Sequence, residues 1–352
     1  MENFKTDVPS VGVDVGTANI CVCRRLEDGT FSVRHHRNML YEMEESDEAE
    51  NLLSRSDYLY VKSDKHYYIV GDDALKLVNA IGQGEIIRPM QDGLLNPNLK
   101  RAQNLMNYIL KAVLGIPIET GEHLRFSVPA NPIDKPEVNN IFHSMVLTEF
   151  FKKLGYAPKP INEALANLYA EAPSMEVEGE GSYPLTGLSI SCGAGMANVC
   201  LGVRGMPVVE FSMTKSGDHI DKQVALVTGE RSSRVIRIKE KMLDLGEENT
   251  EDRVLQALSI YYDEFIGRIL KLMGKEFVNR KVTLDGAIDL VFCGGTAMPQ
   301  NFVERAKKII PTLELPFTIK DVKLARSPFY SVAQGACLAA ESDSQKADAK
   351  ES

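Results

Sequence analysis

The chain is short of several things, and each shortage removes a class of function. No apolar run approaches the roughly 20 residues that cross a bilayer. The first residues, Met1 to Asp7, lack the apolar core of a signal peptide and are too short and mixed for an amphipathic anchor. We therefore expect a cytoplasmic protein without a strong membrane anchor. No basic run stands out, and 40 Lys and Arg against 49 Asp and Glu give a net charge of -9. That balance argues against nucleic acid or anionic membrane as the main partner, since both attract basic patches. Cysteine is sparse, at six, and no second Cys pair or His lies at ligand spacing, so a structural metal centre is not expected. Cys21, Cys23, Cys192, Cys200, Cys293 and Cys337 sit among apolar or small neighbours and read as buried free thiols of a reducing compartment. The pattern Gly-x-x-x-x-Gly-Lys-[Ser/Thr] does not occur, which excludes a P-loop. Gly193-x-Gly195 lacks the third glycine and the helix start of a Rossmann fingerprint.

What is present begins with length. A chain of 352 residues, 44% apolar and 25% charged, fits two soluble domains better than one core. Residues 11–22 read as strand, tight turn, strand: apolar residues lead into Asp14, Gly16 and Thr17 allow a sharp turn, and Ala18 to Cys23 run on as a second apolar arm. Successive N–H groups in such a turn form an anion-binding concavity. Residues 188–201 echo this stretch, with Ala18-Asn19-Ile20-Cys21-Val22 answering to Ala197-Asn198-Val199-Cys200-Leu201 at an offset of 179. A repeat at half-length suggests two similar halves. Two such hairpins facing each other could hold a phosphate chain from both sides; the plain alternative is two ordinary sheet hairpins.

Along the chain, the acidic residues 42–50 read as a solvated loop tip. Leu105, Ile109 and Val113 place one apolar face on a helix over Leu99–Leu114. Asn162 is a good N-cap for a helix whose first turn holds Glu163. Residues 173–184 read as a loop between halves, and Thr250 as the cap of a long helix. A buried strand over Ile288–Phe292 runs into Cys293-Gly294-Gly295-Thr296-Ala297, where backbone can approach a flat ligand. Ser331 to Ala340 is a small-residue helix, and 342–352 reads as a disordered tail.

These stretches, in this order and spacing over about residues 10–340, resemble the actin-like ATPases, nearest the bacterial MreB and MamK branch. Asp14-Val15-Gly16-Thr17-Ala18-Asn19 is similar to the first phosphate motif and Arg88-Pro89-Met90-Gln91-Asp92-Gly93 to a loop behind it. Glu163 to Tyr169 is similar to the first connecting helix, Ser191 to Asn198 to the second phosphate motif, Gly294-Gly295-Thr296 to the adenosine motif, and Ser331 to Ala340 to the second connecting helix. The resemblance implies an α/β, actin-like (ribonuclease H-like) duplicated fold of two domains around a nucleotide cleft. Domain I would be 1–160 plus 321–341, with a small inserted subdomain at about 31–84. Domain II would be 161–320, with a reduced subdomain at about 217–250.

The resemblance further implies ATP or ADP with Mg²⁺. It assigns Asp14, Gly16, Thr17, Ala18, Asn19, Ser191, Gly193, Ala194 and Gly195 to the phosphates, and Gly294, Gly295, Thr296 and Ala297 to adenosine. Asp14 would hold the waters of Mg²⁺, and Glu163 would orient or activate the attacking water. One alignment gives the ribose Lys239 and Glu240; another, through Gly229-Glu230-Arg231, gives it Arg237.

Two departures stand out. The family has an aspartate where Ser191 stands and threonines near Met196 and Ala197, so slow hydrolysis with retained binding is expected, testable by phosphate release from wild type and Ser191→Asp. There is also almost no room between Lys241 and Glu251 for the family's extra hairpin. The implied function is an ATP-binding cytoskeletal filament protein, with copies of itself and bacterial scaffold or cargo proteins as partners. The alternative is a non-polymerising nucleotide-binding scaffold or chaperone-like accessory. A sugar or acetate kinase would need a further substrate-binding acid, which the sequence does not offer.

Overall fold

The computed structural model describes residues 10–82, 84–171, 175–177, 181–183, 186–246, 251–284 and 286–351. Contacts divide the chain into two units: Met1–Ser127, Asn140–Pro160 and Ala336–Ser352 in the first, Val128–Asn139 and Ile161–Gly335 in the second. The chain passes between them four times.

The first unit is built on a five-stranded sheet. Three strands, β1 (Ser10–Val15), β2 (Asn19–Arg25) and β3 (Phe31–Arg37), form an antiparallel meander. After it come β4 (Leu40–Glu44), α1 (Asp47–Ser54), β5 (Tyr60–Ser63), β6 (His66–Val70) and α2 (Asp72–Ile81), which make a separate three-stranded sheet in the order β4-β6-β5 with its own small core. The insertion thus begins after residue 37, because β3 pairs with β2 along its whole length. The acidic residues 42–50 are not a loop tip. Ser46 accepts from the Ala49 N–H at 3.1 Å and caps α1, and Asp47, Glu48 and Glu50 lie at that helix's positive end.

A short ribbon, β7 (Met90–Gln91) and β8 (Leu94–Leu95), leads to α3 (Ala102–Leu114). Then β9 (His123–Val128) pairs parallel with β1, α4 (Ile141–Lys153) packs Phe151 against Phe126 with ring centroids 5.1 Å apart, and β10 (Ala157–Asn162) completes the order β10-β9-β1-β2-β3. Pro160 is tolerated because β10 is an edge strand. Arg24 is fully buried against Glu122, which also accepts from the Ile118 N–H; a buried charge persists only when paired in this way.

The second unit repeats the plan. After α5 (Glu163–Glu171) and a small hairpin, β11 (Met175–Val177) and β12 (Gly181–Tyr183), come β13 (Gly187–Cys192), β14 (Ala197–Val203) and β15 (Met206–Met213), again an antiparallel meander. The rest of the expected loop at 173–184 lies outside the described residues. Next are α6 (Gly217–Thr228), α7 (Ser232–Met242) and α8 (Arg253–Asn279). Asp252 caps α8 by accepting from Val254 and Leu255; Thr250, the expected cap, lies outside the described residues.

Two more strands, β16 (Ile288–Cys293) and β17 (Ile319–Leu324), flank α9 (Phe302–Ile309) and give the order β15-β14-β13-β16-β17, with β16 parallel to β13. The core gathers on α8, whose Leu258, Tyr262, Phe265, Ile269 and Met273 are buried at helical spacing against the sheet.

The last helix, α10 (Ser331–Glu351), begins in the second unit and ends in the first. It replaces the disordered tail expected from residue 342. The reason is electrostatic: Asp343 takes both arms of the Arg125 guanidinium at 2.7 and 3.0 Å and lies 3.4 Å from Lys159. Within the second unit, α10 crosses α5 so closely that a Cβ on Gly335 would fall 1.7 Å from the Ala166 carbonyl oxygen.

Candidate functional site: two hairpin turns and a carboxylate

In the first unit the β1–β2 turn is closed by the Gly16 N–H donating to Asn19 O at 3.0 Å. A Cβ on Gly16 would meet that oxygen at 2.7 Å, so the tight closure needs glycine. The turn's carbonyls are pulled back by donors from the same unit: Asn38 gives its Nδ2–H to Gly16 O and its backbone N–H to Ala18 O, both at 2.8 Å. The Thr17 hydroxyl accepts from the Gly93 N–H at 3.0 Å, and Arg88 reaches Thr17 O at 3.4 Å. The Arg88–Gly93 loop singled out in the sequence therefore braces the first turn. Among the described residues, the Thr17 and Ala18 amides have no protein acceptor. That leaves N–H groups available to an anion.

Asp14 precedes this turn and is half-buried. Burial pushes its carboxyl up to about 6, opposed by a hydrogen bond from the Ser127 hydroxyl at 2.8 Å. Ser127 itself accepts from the Val15 N–H at 2.8 Å, so its hydroxyl is committed to Asp14. Sequence reasoning missed both Ser127 and Asn38. A lone serine in the apolar run Phe126-Ser127-Val128 was the available signal for the first; Asn38 had none.

In the second unit the Gly193 N–H donates to Met196 O at 3.0 Å, and a Cβ on Gly193 would meet that oxygen at 2.9 Å. The two turns are thus the same object. Strand register aligns them: Asp14 pairs with Cys21, and Ser191 with Asn198. The structural offset is 177 residues, not the 179 suggested by the Ala-Asn echo. Asn198 consequently corresponds to Cys21 rather than to Asn19, Ser191 to Asp14, and Ala194 to Thr17.

Here, too, the carbonyls are engaged. Gly193 O accepts from the Ser216 hydroxyl at 2.6 Å, the Thr296 hydroxyl at 2.9 Å and, at 3.3 Å, the Gly217 N–H; Ala194 O accepts from the Asp218 N–H at 2.8 Å. The start of α6 and the Gly294–Ala297 turn therefore both sit on the second hairpin turn. The approach is close enough that a Cβ on Gly217 would strike Thr296 Oγ1 at 2.4 Å. Gly294 has φ +90° and would strike Cys192 O at 2.3 Å, so its place is also closed to side chains. Thr296 and Ala297 are buried, and Gly295 opens a 3₁₀ turn. Among the described residues, the Ala194 and Gly195 amides have no protein acceptor.

Glu163 opens α5, directly after the cap: Asn162 Oδ1 accepts from the Ala164 and Leu165 N–H groups at 2.9 and 3.1 Å. Its Oε2 accepts from Asn198 Nδ2 at 2.9 Å and, more weakly, from Ser191 Oγ at 3.3 Å. The ribose candidates fare differently. Lys239 pairs with the buried Asp221 at 2.7 Å, which spends its ammonium inside the unit. Burial raises Asp221, and Lys239 pulls it back. Arg237 and Glu240, on the same helix, are exposed.

All six cysteines are buried thiols outside any disulfide. Among the described residues there is no group of three or more His, Cys, Asp or Glu that could hold a metal ion, and no helix long and apolar enough to cross a membrane. A single half-buried carboxylate, Asp14, fits a hydrated Mg²⁺ carried mainly by phosphate oxygens, not a cation caged by protein.

Among solved structures, the chain is similar to the MamK double helical filament, at 18% identity and TM-score 0.68 over 94% of this chain and 98% of that one. It is similar to MreB5 of Spiroplasma citri bound to AMPPNP, at 16% identity and TM-score 0.63 over 97% and 98%. The ethanolamine utilization protein EutJ from Carboxydothermus hydrogenoformans is more distant, at 14% identity and TM-score 0.51 over 94% and 89%. No curated protein matches. These likenesses and the repeated five-stranded sheets give the chain an actin-like two-domain α/β fold. The Volactin family model matches residues 10–340, and the chain belongs to the Volactin family.

Proposed function

We propose that the chain is a nucleotide-dependent, self-assembling actin-like protein that binds ATP with Mg²⁺, forms filaments in the cytoplasm and hydrolyses the nucleotide slowly. The observation that carries this reading is the pair of hairpin turns. Each closes on a glycine, has its carbonyls engaged by donors and, among the described residues, leaves two amides without a protein acceptor. We read each turn as a phosphate-binding element of its own unit. The MreB5 relative bound AMPPNP and the MamK relative is a filament, which supports both parts of the reading.

In this reading the N–H groups of Thr17 and Ala18 and, separately, those of Ala194 and Gly195 hold phosphate oxygens, while Gly16, Asn19 and Gly193 shape the turns. Gly294 and Gly295, at the start of the Gly294–Ala297 turn, give backbone without side chains for adenosine to approach. Asp14 would hold Mg²⁺ through water, and the ion, when bound, neutralises charge on the β- and γ-phosphates. Glu163 accepts the proton of the attacking water, and Asn198 and Ser191 hold its Oε2. Lys239 is committed to Asp221, which leaves Arg237 and Glu240 as the ribose candidates. The partners are further copies of the chain and the scaffold or cargo those filaments serve.

A second reading, a nucleotide-binding scaffold without useful hydrolysis, is favoured by one feature of the second turn. Ala194 and the buried Met196 and Ala197 offer no hydroxyl to phosphate. Sedimentation and electron microscopy with ATP and Mg²⁺, beside a phosphate-release assay, separate the two. Filaments with slow release support the first reading. ATP binding without filaments or release supports the second, and no ATP binding ends both.

A further inference from the structure

We propose that Asn198 is a positioning residue that fixes the Glu163 carboxylate for proton transfer, and that Ser191 serves the same carboxylate rather than the metal. The inference rests on the ATP-hydrolysing reading above. A glutamate at the first residue of a helix has its backbone set by the cap but its side chain still rotates about three bonds. A base that must meet one water needs that freedom removed.

The second hairpin removes it. Asn198 is fully buried, and its Oδ1 accepts from the Ala130 N–H at 2.9 Å. A backbone N–H can only donate, so the oxygen of the amide must face Ala130 and the NH₂ must face Glu163. Ala130 is itself held by β15: the Ser212 hydroxyl donates to Ala130 O at 2.7 Å, and the Ser212 N–H to Asn131 O at 3.1 Å. Ser212 is also the strand partner of Asn198. The path from β15 through Ala130 and Asn198 to Glu163 therefore has one arrangement. Ser191, the partner of Asn198 across β13–β14, reaches the same Oε2. The matching cross-strand pair in the first hairpin is Asp14 and Cys21, so the device occurs in one half only.

This gives Ser191 a reason to replace an acid. An aspartate there would set a second carboxylate against Glu163, at a point where the serine hydroxyl now lies 3.3 Å from Oε2. In the reaction, the water oxygen forms a bond to the γ-phosphorus and the bond from that phosphorus to the β,γ-bridging oxygen breaks. The electron pair leaves with ADP, the water's proton passes to Glu163, and inorganic phosphate is the other product.

The test uses the full chain with Mg²⁺ and ATP, measuring single-turnover phosphate release and, separately, affinity for a fluorescent ATP analogue. Asn198→Asp keeps an oxygen for Ala130 but replaces the donor to Glu163 with a carboxylate oxygen, which repels it. It should slow release about 30-fold while affinity stays within about threefold. The double variant with Glu163→Ala should release phosphate no more slowly than Glu163→Ala alone, because both changes disable one device. Ser191→Asp, which leaves Ala130 untouched, should slow release rather than restore it, and it serves if Asn198→Asp does not fold. Wild-type release from Asn198→Asp, additive losses in the double variant, or faster release from Ser191→Asp would each overturn the proposal. A wild type that binds ATP but releases no phosphate also overturns it, while leaving nucleotide binding in place. A wild type that does not bind ATP removes the functional reading itself.

Discussion

In the first hairpin turn the Gly16 N–H closes on Asn19, and in the second the Gly193 N–H closes on Met196, with the same span and the same clash awaiting a Cβ. The side chains then part ways. The first turn is preceded by a carboxylate, Asp14, held by Ser127, and carries the Thr17 hydroxyl, held by Gly93. The second is preceded by Ser191 and carries Ala194, and the carboxylate held at its strands, Glu163, arrives from α5. Backbone geometry is the same in both halves while the carboxylates differ: Asp14 lies on the strand leading into the first turn, whereas Glu163 reaches the second hairpin from a helix. The duplication thus preserves the glycine-closed turn and differentiates the side chains around it.

The sharpest way to break that comparison is to remove the two residues that differ. Asp14→Asn should weaken Mg²⁺-ATP binding about 100-fold, in the range seen when a group that orients a metal's surroundings is lost. The same change should raise the melting temperature of the nucleotide-free chain, because burial holds this carboxyl near 6 and the amide carries no such cost. Ser191→Ala should move Mg²⁺-ATP affinity less than about threefold. Titration calorimetry with and without Mg²⁺ reads both. Equal losses would mean that the halves share the metal after all.

Acid should separate the halves in another way. His143 on α4 of the first unit is buried, neither ring nitrogen has a hydrogen-bond partner among the described residues, and desolvation lowers its pKa from 6.5 to about 4. The unfolded chain therefore takes up a proton below about 6.5 that the folded chain refuses until about 4, and stability falls as pH falls through that window. Between pH 7 and pH 5 the loss should be about 2 kcal/mol. His143→Leu should abolish this share of the acid sensitivity in urea unfolding followed at both pH values. An unchanged pH slope in that variant would place the acid-labile group elsewhere.

Sequence alone reached the paired turns, Glu163 behind its Asn162 cap, and the glycines of the Gly294–Ala297 turn, because each is a local event whose cause lies within a few residues. It misaligned the halves by two residues. The matching letters Ala-Asn lie within the closed turn in the first half and just beyond it in the second, and only strand pairing fixes which residues are opposite. It read 42–50 as a loop because charge density outweighed the cap signal at Ser46. It read 342–352 as disordered because Asp343 finds Arg125 and Lys159 only after folding. Asn38, Ser127 and Ser216, which fasten the turns, were invisible for the same reason: their partners are distant in sequence. Lys239 looked like a ligand contact because nothing nearby in the chain announces Asp221.

The smallest expected difference concerns the strands behind each turn. Ser127, one residue past the Phe126 that pairs with Val13, accepts from Val15 and donates to Asp14; Cys293 is the corresponding partner of Ser191. Ser127→Ala strands a backbone N–H and releases a carboxylate at once, which should cost about 1–2 kcal/mol in unfolding free energy and weaken Mg²⁺-ATP binding about threefold by freeing Asp14. Cys293→Ala removes only a small buried side chain. It should cost about 1 kcal/mol and leave the Mg²⁺ dependence of binding unchanged. The decisive quantity is the ratio of affinities with and without Mg²⁺, since both variants lower stability to some degree. A ratio that shifts in Ser127→Ala and holds in Cys293→Ala locates the metal-facing chemistry in the first unit, whereas shifts in both would return it to the pair.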